Sequence, residues 1–153
     1  MLAGAGSAAL LLGAYAFQAL GYAPCKMCLW QRWPHFVAVG IGLLALMIGW
    51  RALAWFGAAA AATTGGIGVF HTGVERGWWE GPTSCTGSGT GLGGLTGGDL
   101  LSTDAPPLVM CDQVSWAFAG LSMASWNAVL SFALVAVWMV AALRPAPGAV
   151  SEW

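Results

Sequence analysis

Residues 24–50 read PCKMCLWQRWPHFVAVGIGLLALMIGW, with two cysteines and an arginine ahead of a long apolar run. The run from Leu29 to Trp50 is long enough to cross a bilayer, since a helix rises about 1.5 Å per residue and spanning takes about 20 apolar residues. An arginine at the start of such a helix is costly, and a Cys-x-x-Cys pair is reactive. The stretch therefore predicts a membrane helix that begins at a chemically active group of residues.

The composition of the whole chain also indicates a membrane protein. Of its 153 residues, 58% are hydrophobic and 7% are charged, whereas soluble domains carry about 25% charged residues. The formal net charge of -1 leaves no concentrated basic face, so we expect no nucleic-acid binding. Ten tryptophans suit a protein with two membrane interfaces, where the indole ring is half hydrated.

Four apolar segments predict an all-α fold, a transmembrane four-helix bundle in one integral membrane domain, 1–153. The segments are Met1–Leu20, Leu29–Trp50, Ala52–Val74 and Trp116–Leu143. The first segment has the alternative reading of a cleaved signal peptide. It lacks a basic n-region and is longer than the usual apolar core of such peptides, so we expect a retained helix.

An even number of spans places both termini on one side of the bilayer and the two loops, 21–28 and 75–115, on the other. The second loop is rich in Gly, Ser and Thr without an apolar period, so we expect an extramembrane loop with little fixed structure. Counting basic residues does not settle the orientation. The termini side has Arg51 and Arg144, and the loop side has Lys26, Arg32 and Arg76.

All four cysteines lie on the loop side of this topology, and the simplest of their three pairings is local, 25–28 with 85–111. As structural disulfides, the second would restrain the Gly-rich loop by about 3 kcal/mol in the chain-entropy model, but the first closes too small a ring to restrain anything. A zinc site is disfavoured, because Cys85 and Cys111 are too far apart in the sequence to form a second knuckle. We expect no metal.

A redox role explains more of the first pair. The start of the second helix puts Cys28 near a helix N-terminus, whose dipole stabilises a thiolate, and Lys26 and Arg32 add positive charge. An exposed thiolate of low pKa is what disulfide exchange requires. Cys28 and Arg32 are four residues apart and share a helix face, with His35 further along, although Pro34 can distort this turn.

Two further residues are candidates for binding an electron acceptor. Arg32 either reaches to the headgroups or holds the oxygen of a membrane-soluble acceptor, and its position leaves both readings open. His71 lies near the end of the third span at a matching depth, and is either an interfacial residue or a second contact to that acceptor.

Polar and small residues within the spans predict helix packing. Asn127 and the serines around it are expected to form interhelical hydrogen bonds. The third span is expected to present a close-packing surface made of Ala58–Ala62 with Gly57, Gly65, Gly66 and Gly68.

Three stretches of the chain together resemble the DsbB family of bacterial disulfide bond formation proteins. They are Cys25-x-x-Cys28 followed by Arg32, HTGVERGWWEGPTSC at 71–85, and CDQVSWAFAGLSMASWN at 111–127. They cover both loops and parts of three helices in the order of the family. The resemblance implies a multi-pass protein of the bacterial inner membrane with its cysteines facing the periplasm and its termini in the cytoplasm.

The resemblance also implies an activity and a role for each site residue. The chain would reoxidise a DsbA-like thioredoxin-fold protein of the periplasm and pass the electrons to the membrane quinone pool, ubiquinone or menaquinone. The partner would attack Cys85, Cys111 would then attack Cys25, and Cys28 would deliver two electrons to the quinone. Arg32 would bind a quinone oxygen with His71 near the same ring. The Gly-rich loop would make the movement of Cys111 toward Cys25 inexpensive.

Two alternatives stand beside this interpretation. A vitamin K epoxide reductase-like protein is also a small helical bundle with a Cys-x-x-Cys pair and a quinone, but there the pair usually introduces the last helix. A membrane scaffold stapled by two disulfides would have the same cysteines and no electron transfer.

Overall fold

The computed structural model describes residues 2–82, 85 and 109–144, and four helices lie within these ranges. They are α1 (Leu2–Ala19), α2 (Lys26–Ile48), α3 (Leu53–Glu75) and α4 (Met123–Leu143). Each is long and apolar enough to cross a membrane. The prediction of an all-α, four-helix membrane bundle is confirmed. Most of the predicted loop 75–115 lies outside the described residues.

Helix α3 lies at the centre of the packing, with α2 on one side and α4 on the other, while α1 packs mainly on α2. The link between α2 and α3 is short because α2 ends at Gly49, whose φ of 70° belongs to the left-handed region that glycine adopts without strain. The N–H of Gly49 donates to the carbonyl of Ala45 at 2.9 Å and closes the helix. This short link makes α2 and α3 antiparallel neighbours.

The last helix begins later than the predicted Trp116. Ala117–Phe118 and Leu121–Ser122 form a small antiparallel hairpin, turned by Ala119 and Gly120 with φ of 51° and 76°. Two consecutive residues of positive φ match the right-handed twist of a two-residue hairpin turn. Ser122 then caps α4, its Oγ accepting the Ser125 N–H at 3.2 Å. The predicted start of this span was therefore wrong by the length of the hairpin.

The glycines of α3 allow α4 to approach closely. A Cβ added to Gly57 would lie 2.6 Å from the Trp138 ring, and one added to Gly68 would lie 3.0 Å from the Ala124 carbonyl. Gly65 is similarly close to Phe132. The close-packing prediction holds for these three glycines and is wrong for Gly66, which faces open space.

The bundle has two ends, each with its own buried cluster. The termini end is where α1 and α3 begin, and its cluster is Ala3, Ala54, Ala58, Ala61 and Trp138. The cysteine end is where α2 and α4 begin, and its cluster is Cys25, Met27, Val74, Cys85 and Cys111. Large apolar side chains such as Leu43 and Met47 point outward, as expected of a surface that faces lipid.

Candidate active site

Cys25 lies at the start of α2 as its N-cap, with φ -75° and ψ 171°. Its Sγ accepts a hydrogen bond from the backbone N–H of Cys28 at 3.2 Å. Helix N-termini have unpaired N–H groups and a positive dipole, so a sulfur in this position is stabilised as a thiolate. The sequence led us to expect this stabilisation at Cys28, whereas the structure provides it at Cys25.

The four cysteine sulfurs form one continuous row. Cys85 and Cys111 are joined by a disulfide. The sulfur of Cys111 lies within 4.8 Å of that of Cys25, and the sulfur of Cys25 lies 2.8 Å from that of Cys28 without a bond between them. The pairing expected from local spacing is therefore seen as one bonded pair and one pair in contact. Cys111 is already beside Cys25, so exchange between them needs only a short shift.

Three of these cysteines are buried, although the topology predicted from the sequence places all four on the loop side of the membrane. Cys25, Cys85 and Cys111 are 3%, 2% and 0% exposed, while Cys28 is half-buried. The physical reason is the apolar cluster at the cysteine end, in which Met27 and Val74 cover the sulfurs.

The electrostatic surroundings of Cys25 favour its charged form. The pKa of Cys25 is lowered to about 5, chiefly by the hydrogen bond from the Cys28 side chain and further by His71, against the opposing effect of burial. In the reduced pair, the negative charge therefore resides on Cys25 near neutral pH.

His71 lies in α3 beside the sulfur row and is 2% exposed. Its Nε2 is 3.1 Å from the Cys111 carbonyl oxygen and 3.6 Å from the Cys25 sulfur. Its Nδ1 is 2.9 Å from Nε2 of Gln31. Glu75 completes this group, with a carboxylate oxygen 3.9 Å from His71 Nε2 and a hydrogen bond from the Ser122 hydroxyl. His71 thus contacts the cysteines directly, a contact that the sequence did not suggest.

Arg32 lies on α2 and faces α1. One guanidinium nitrogen donates to the Gln18 side-chain oxygen at 2.8 Å and another to the Ala14 carbonyl at 3.4 Å. The guanidinium also lies 4.7 Å from the centre of the Tyr15 ring. A guanidinium has five N–H donors, so these two bonds leave donors for a further acceptor.

A cavity of about 110 Å³ brings together four of the predicted site residues, Cys25, Cys28, Arg32 and His71, whereas Cys85 and Cys111 are not among its lining residues. One water needs about 10–15 Å³ of such space, so the cavity is large enough for several waters or part of a ligand. Its lining includes Cys28 and Arg32, confirming that the two share one face, and also His35, His71 and Glu75. Helix α2 continues through Pro34 without a break, so the proline does not disturb the alignment of Cys28 with Arg32.

Two polar residues of α2 and α4 were only partly anticipated. Asn127 was predicted to bond between helices, and its side-chain nitrogen donates to the Gln31 side chain at 2.8 Å. The sequence placed Gln31 in the same turn as Arg32 but assigned it no role, and it placed Glu75 in the loop. The signal for Gln31 was its position in α2, three residues after Cys28 and so on the same side of the helix. An amide at this position is buried against α3.

Comparison with known proteins supports one family. The family model described as disulfide bond formation protein DsbB matches residues 1–141. The disulfide bond formation protein B of Aromatoleum aromaticum is 32% identical over 139 residues, which are 84% of this chain and 80% of the relative. Its counterpart in Verminephrobacter eiseniae is 31% identical over 145 residues, 89% and 78% of the two chains. No solved structure matches the chain.

The matched region contains the first three helices, all but the last two residues of α4, all four cysteines and the residues that line the cavity. The agreement therefore covers the part of the molecule that has the chemistry, and not only its apolar spans. The chain belongs to the DsbB family of disulfide bond formation proteins, as a multi-pass protein of the inner membrane.

Proposed function

We propose that this protein is a quinone-dependent thiol oxidoreductase that reoxidises a DsbA-like protein and so sustains disulfide bond formation. One observation carries the proposal: the row of four sulfurs leads from the disulfide of Cys85 to the cavity that Cys28 and Arg32 line. Disulfide exchange requires a thiolate to reach a neighbouring sulfur, and each sulfur here has such a neighbour. Such a row offers a path for electrons from outside the bundle to its interior.

The exchange begins at the loop pair. A thiolate of the reduced partner attacks Cys85, the Cys85–Cys111 bond breaks, and Cys111 leaves as a thiolate. Cys111 then attacks Cys25 of the closed helix pair and releases Cys28 as a thiolate. The second thiol of the partner attacks the mixed disulfide, which oxidises the partner and frees Cys85.

Cys85 then attacks Cys111 in the Cys25–Cys111 disulfide, which re-forms the loop disulfide and releases Cys25. This leaves Cys25 and Cys28 as the dithiol that holds the two electrons of the partner. The arrangement in the structure, with the loop pair bonded and the helix pair unbonded, corresponds to this last state. Re-forming the bond from the Cys25 thiolate and the Cys28 thiol gives up two electrons and one proton.

The residues around the cavity fit a quinone. A lipid-soluble ring with polar oxygens requires apolar walls and a hydrogen-bond donor, and the walls include Leu10, Leu11, Phe17 and Met123. Arg32 would hold an oxygen of the ring with its remaining donors, and Cys28 lines the same space. A bound quinone supplies the acceptor for the two electrons. Whether His71 contacts it stays a prediction, since both of its ring nitrogens already have partners.

The proposal includes an orientation. The cysteine end would face the periplasm, because the partner dithiol oxidase is found there, and both termini would be cytoplasmic. The four helices, 1–153, would form a single integral membrane domain. Newly formed disulfides persist in the periplasm because it is an oxidising compartment.

The test is a quinone-reduction assay with the purified protein, a reduced DsbA-like partner and either ubiquinone or menaquinone. We expect catalytic turnover by the wild type and none by Cys28→Ser, whose hydroxyl cannot form the helix disulfide. Cys85→Ser should lose oxidation of the partner. Turnover that survives Cys28→Ser would disprove this mechanism.

The same assay separates the rival functions. A disulfide-stapled scaffold would reduce no quinone with any of these variants. A vitamin K epoxide reductase-like protein would reduce a quinone epoxide, which we expect this protein to leave unchanged.

A further inference from the structure

A chain of four side chains crosses the bundle from His35 to His71. His35 Nε2 lies 2.9 Å from the Asn127 side-chain oxygen, and the Asn127 side-chain nitrogen lies 2.8 Å from the Gln31 oxygen. The Gln31 nitrogen lies 2.9 Å from His71 Nδ1. The members come from α2, α3 and α4, and both histidines and Gln31 are buried. The spacing is that of good hydrogen bonds throughout.

The direction of this chain is fixed where it meets the sulfur row. The Cys111 carbonyl can only accept, so His71 Nε2, 3.1 Å away, must carry the hydrogen. In the neutral ring, Nδ1 is then a lone pair, which accepts from the Gln31 amide N–H. The Gln31 oxygen is left to accept from Asn127, and the Asn127 oxygen accepts from His35.

A second carbonyl fixes the direction in the middle of the chain. The Asn127 side-chain nitrogen also lies 3.4 Å from the Thr64 carbonyl and 3.2 Å from the Thr64 hydroxyl oxygen. That hydroxyl donates to the backbone carbonyl of Gln31 at 2.9 Å, so it is free to accept from Asn127. A turned Asn127 amide would set its oxygen against the Thr64 carbonyl, which is repulsive in a buried site.

We propose that Gln31 and Asn127 are positioning residues that hold His71 as its Nε2–H tautomer and direct that N–H between the Cys111 carbonyl and the Cys25 sulfur. The importance of this for catalysis rests on the proposed function, because Cys25 is there the sulfur that exchanges with both Cys111 and Cys28. Both amides also line the cavity, but neither is hydrogen-bonded to a cysteine sulfur in the described part of the chain, and their link to Cys25 runs through His71. Buried amide networks with every bond made in one direction are rigid.

The tautomer can be observed directly by ¹⁵N NMR in detergent micelles, because the protein contains two histidines and gives two ring systems. We expect a bare Nδ1 and a protonated Nε2 for His71 in the wild type. Gln31→Glu places a carboxylate against Nδ1 at nearly the same volume and should protonate Nδ1. Asn127→Leu removes the middle bond and should change the ring nitrogens of both histidines. Thr63→Val is the matched control and should change neither, since within the described ranges its exposed hydroxyl bonds to Ala59 of its own helix and to no member of the chain.

A second readout follows the sulfur itself, in reduced protein without quinone or partner. The titratable groups that face Cys25 in the described residues are Cys28 from α2, His71 and Glu75 from α3, and Cys111 once the loop disulfide is reduced. Gln31→Leu should slow iodoacetamide alkylation of Cys25 at pH 4, below its pKa of about 5, by about tenfold, the effect of one pKa unit on a thiolate fraction that is small in both proteins. If Gln31→Leu fails to fold, Asn127→Leu provides the same measurement.

The results separate this inference from the proposed function. A wild-type His71 protonated at Nδ1, or histidine spectra unchanged in both Gln31→Glu and Asn127→Leu, would overturn the positioning role. The expected spectra in a protein that reduces no quinone would uphold it while the proposed oxidase function fails. A merely structural role for Gln31 predicts the wild-type tautomer in Gln31→Glu, and this outcome also overturns the proposal.

Discussion

The two ends of the bundle are held together by different interactions. At the termini end, small residues let the helices approach, and Trp138 packs against Gly57 in a cluster of alanines. The buried Nε1 of Trp138 has no hydrogen-bond partner there among the described residues. At the cysteine end, by contrast, His71, Gln31 and Asn127 are joined by hydrogen bonds from helix to helix.

The difference shows where stability and chemistry are located. Lipid is as apolar as a leucine side chain, so close packing is what holds membrane helices together where polar groups are few. Polar side chains inside a membrane protein are expensive and usually have a functional role. The termini end thus serves mainly to hold the helices together. The cysteine end is less favourable for stability because it buries polar groups, and these groups align the sulfurs and their hydrogen-bond partners. Substitutions at the termini end should therefore change stability without changing the chemistry, and substitutions of site residues at the cysteine end should change the chemistry.

Arg32→Ala should have the largest effect and should be confined to the chemistry of the cysteine end. A lost hydrogen bond from a charged group is worth about 2–3 kcal/mol, so quinone reduction should fall by about 30- to 150-fold in kcat/KM. Formation of the mixed disulfide between Cys85 and the partner should keep its rate. Stopped-flow quinone reduction and acid-trapped mixed disulfide measure the two steps separately.

The control for this variant is Gln18→Ala, which removes the partner of Arg32 on α1 and leaves the guanidinium in place. It tests whether Arg32 matters only as an anchor between α1 and α2. Equal losses in Arg32→Ala and Gln18→Ala, or an equal loss of both steps in Arg32→Ala, would rule out a quinone role.

Gly57→Ala should have the second-largest effect, and it should lower the free energy of unfolding without changing the activity. The added methyl would lie 2.6 Å from the Trp138 ring, and overpacking of this kind costs about 1–3 kcal/mol. Unfolding of the purified protein by denaturing detergent should show the loss, while quinone reduction per folded molecule stays at the wild-type level.

Gly66→Ala on the same helix is the matched control for packing. Its added methyl meets nothing within 4 Å, so the change should be neutral or stabilise by up to about 1 kcal/mol through helix propensity. Two glycines nine residues apart on α3 should therefore respond in opposite directions. Equal destabilisation by both substitutions would show that the termini end is not close-packed as described.

Much of this contrast follows from the sequence, because run length and small-residue content are local properties. Four apolar runs predicted the four helices, and the glycines of α3 predicted its contact with α4. The prediction that Gly66 belongs to the close-packing surface was wrong, because run length does not show which side of a helix contacts a neighbour. The start of α4 was wrong because apolar residues such as Phe118 and Leu121 also form the hairpin before it.

The site was less predictable, because it depends on contacts between distant parts of the chain. The sequence supplied the cysteines, Arg32 and His71 as candidates, but gave no reason to place Gln31 against a histidine forty positions away. The local rule about helix N-termini was correct, yet it was applied to Cys28 when the helix begins one turn earlier. The burial of Cys85 and Cys111 depends on the packing of Met27 and Val74, which no local pattern shows.

The smallest expected effect lies at Cys25. Its thiolate should form as the pH rises through about 5 and be lost as the pH falls below that value, since its pKa in the folded protein is depressed. His71→Ala removes one of the groups that lower this pKa, so the midpoint should rise by about one unit. It should also slow quinone reduction less than Arg32→Ala does. The thiolate absorbance in the ultraviolet, followed in a Cys85→Ser and Cys111→Ser background, reports the helix pair alone.

Thr72→Val is the control for this titration because Thr72 lies next to His71 on α3 but bonds to Ser125 and to Gly68 of its own helix. It alters a buried polar contact of the same region without touching a sulfur, so the Cys25 midpoint should stay at about 5. A midpoint that moves equally in Thr72→Val and His71→Ala would mean that the thiolate responds to general loosening of the cysteine end. A shift confined to His71→Ala would mean that the imidazole N–H, held in place across three helices, adds to the effect of Cys28 in stabilising the thiolate of Cys25, the sulfur at the centre of the proposed exchange.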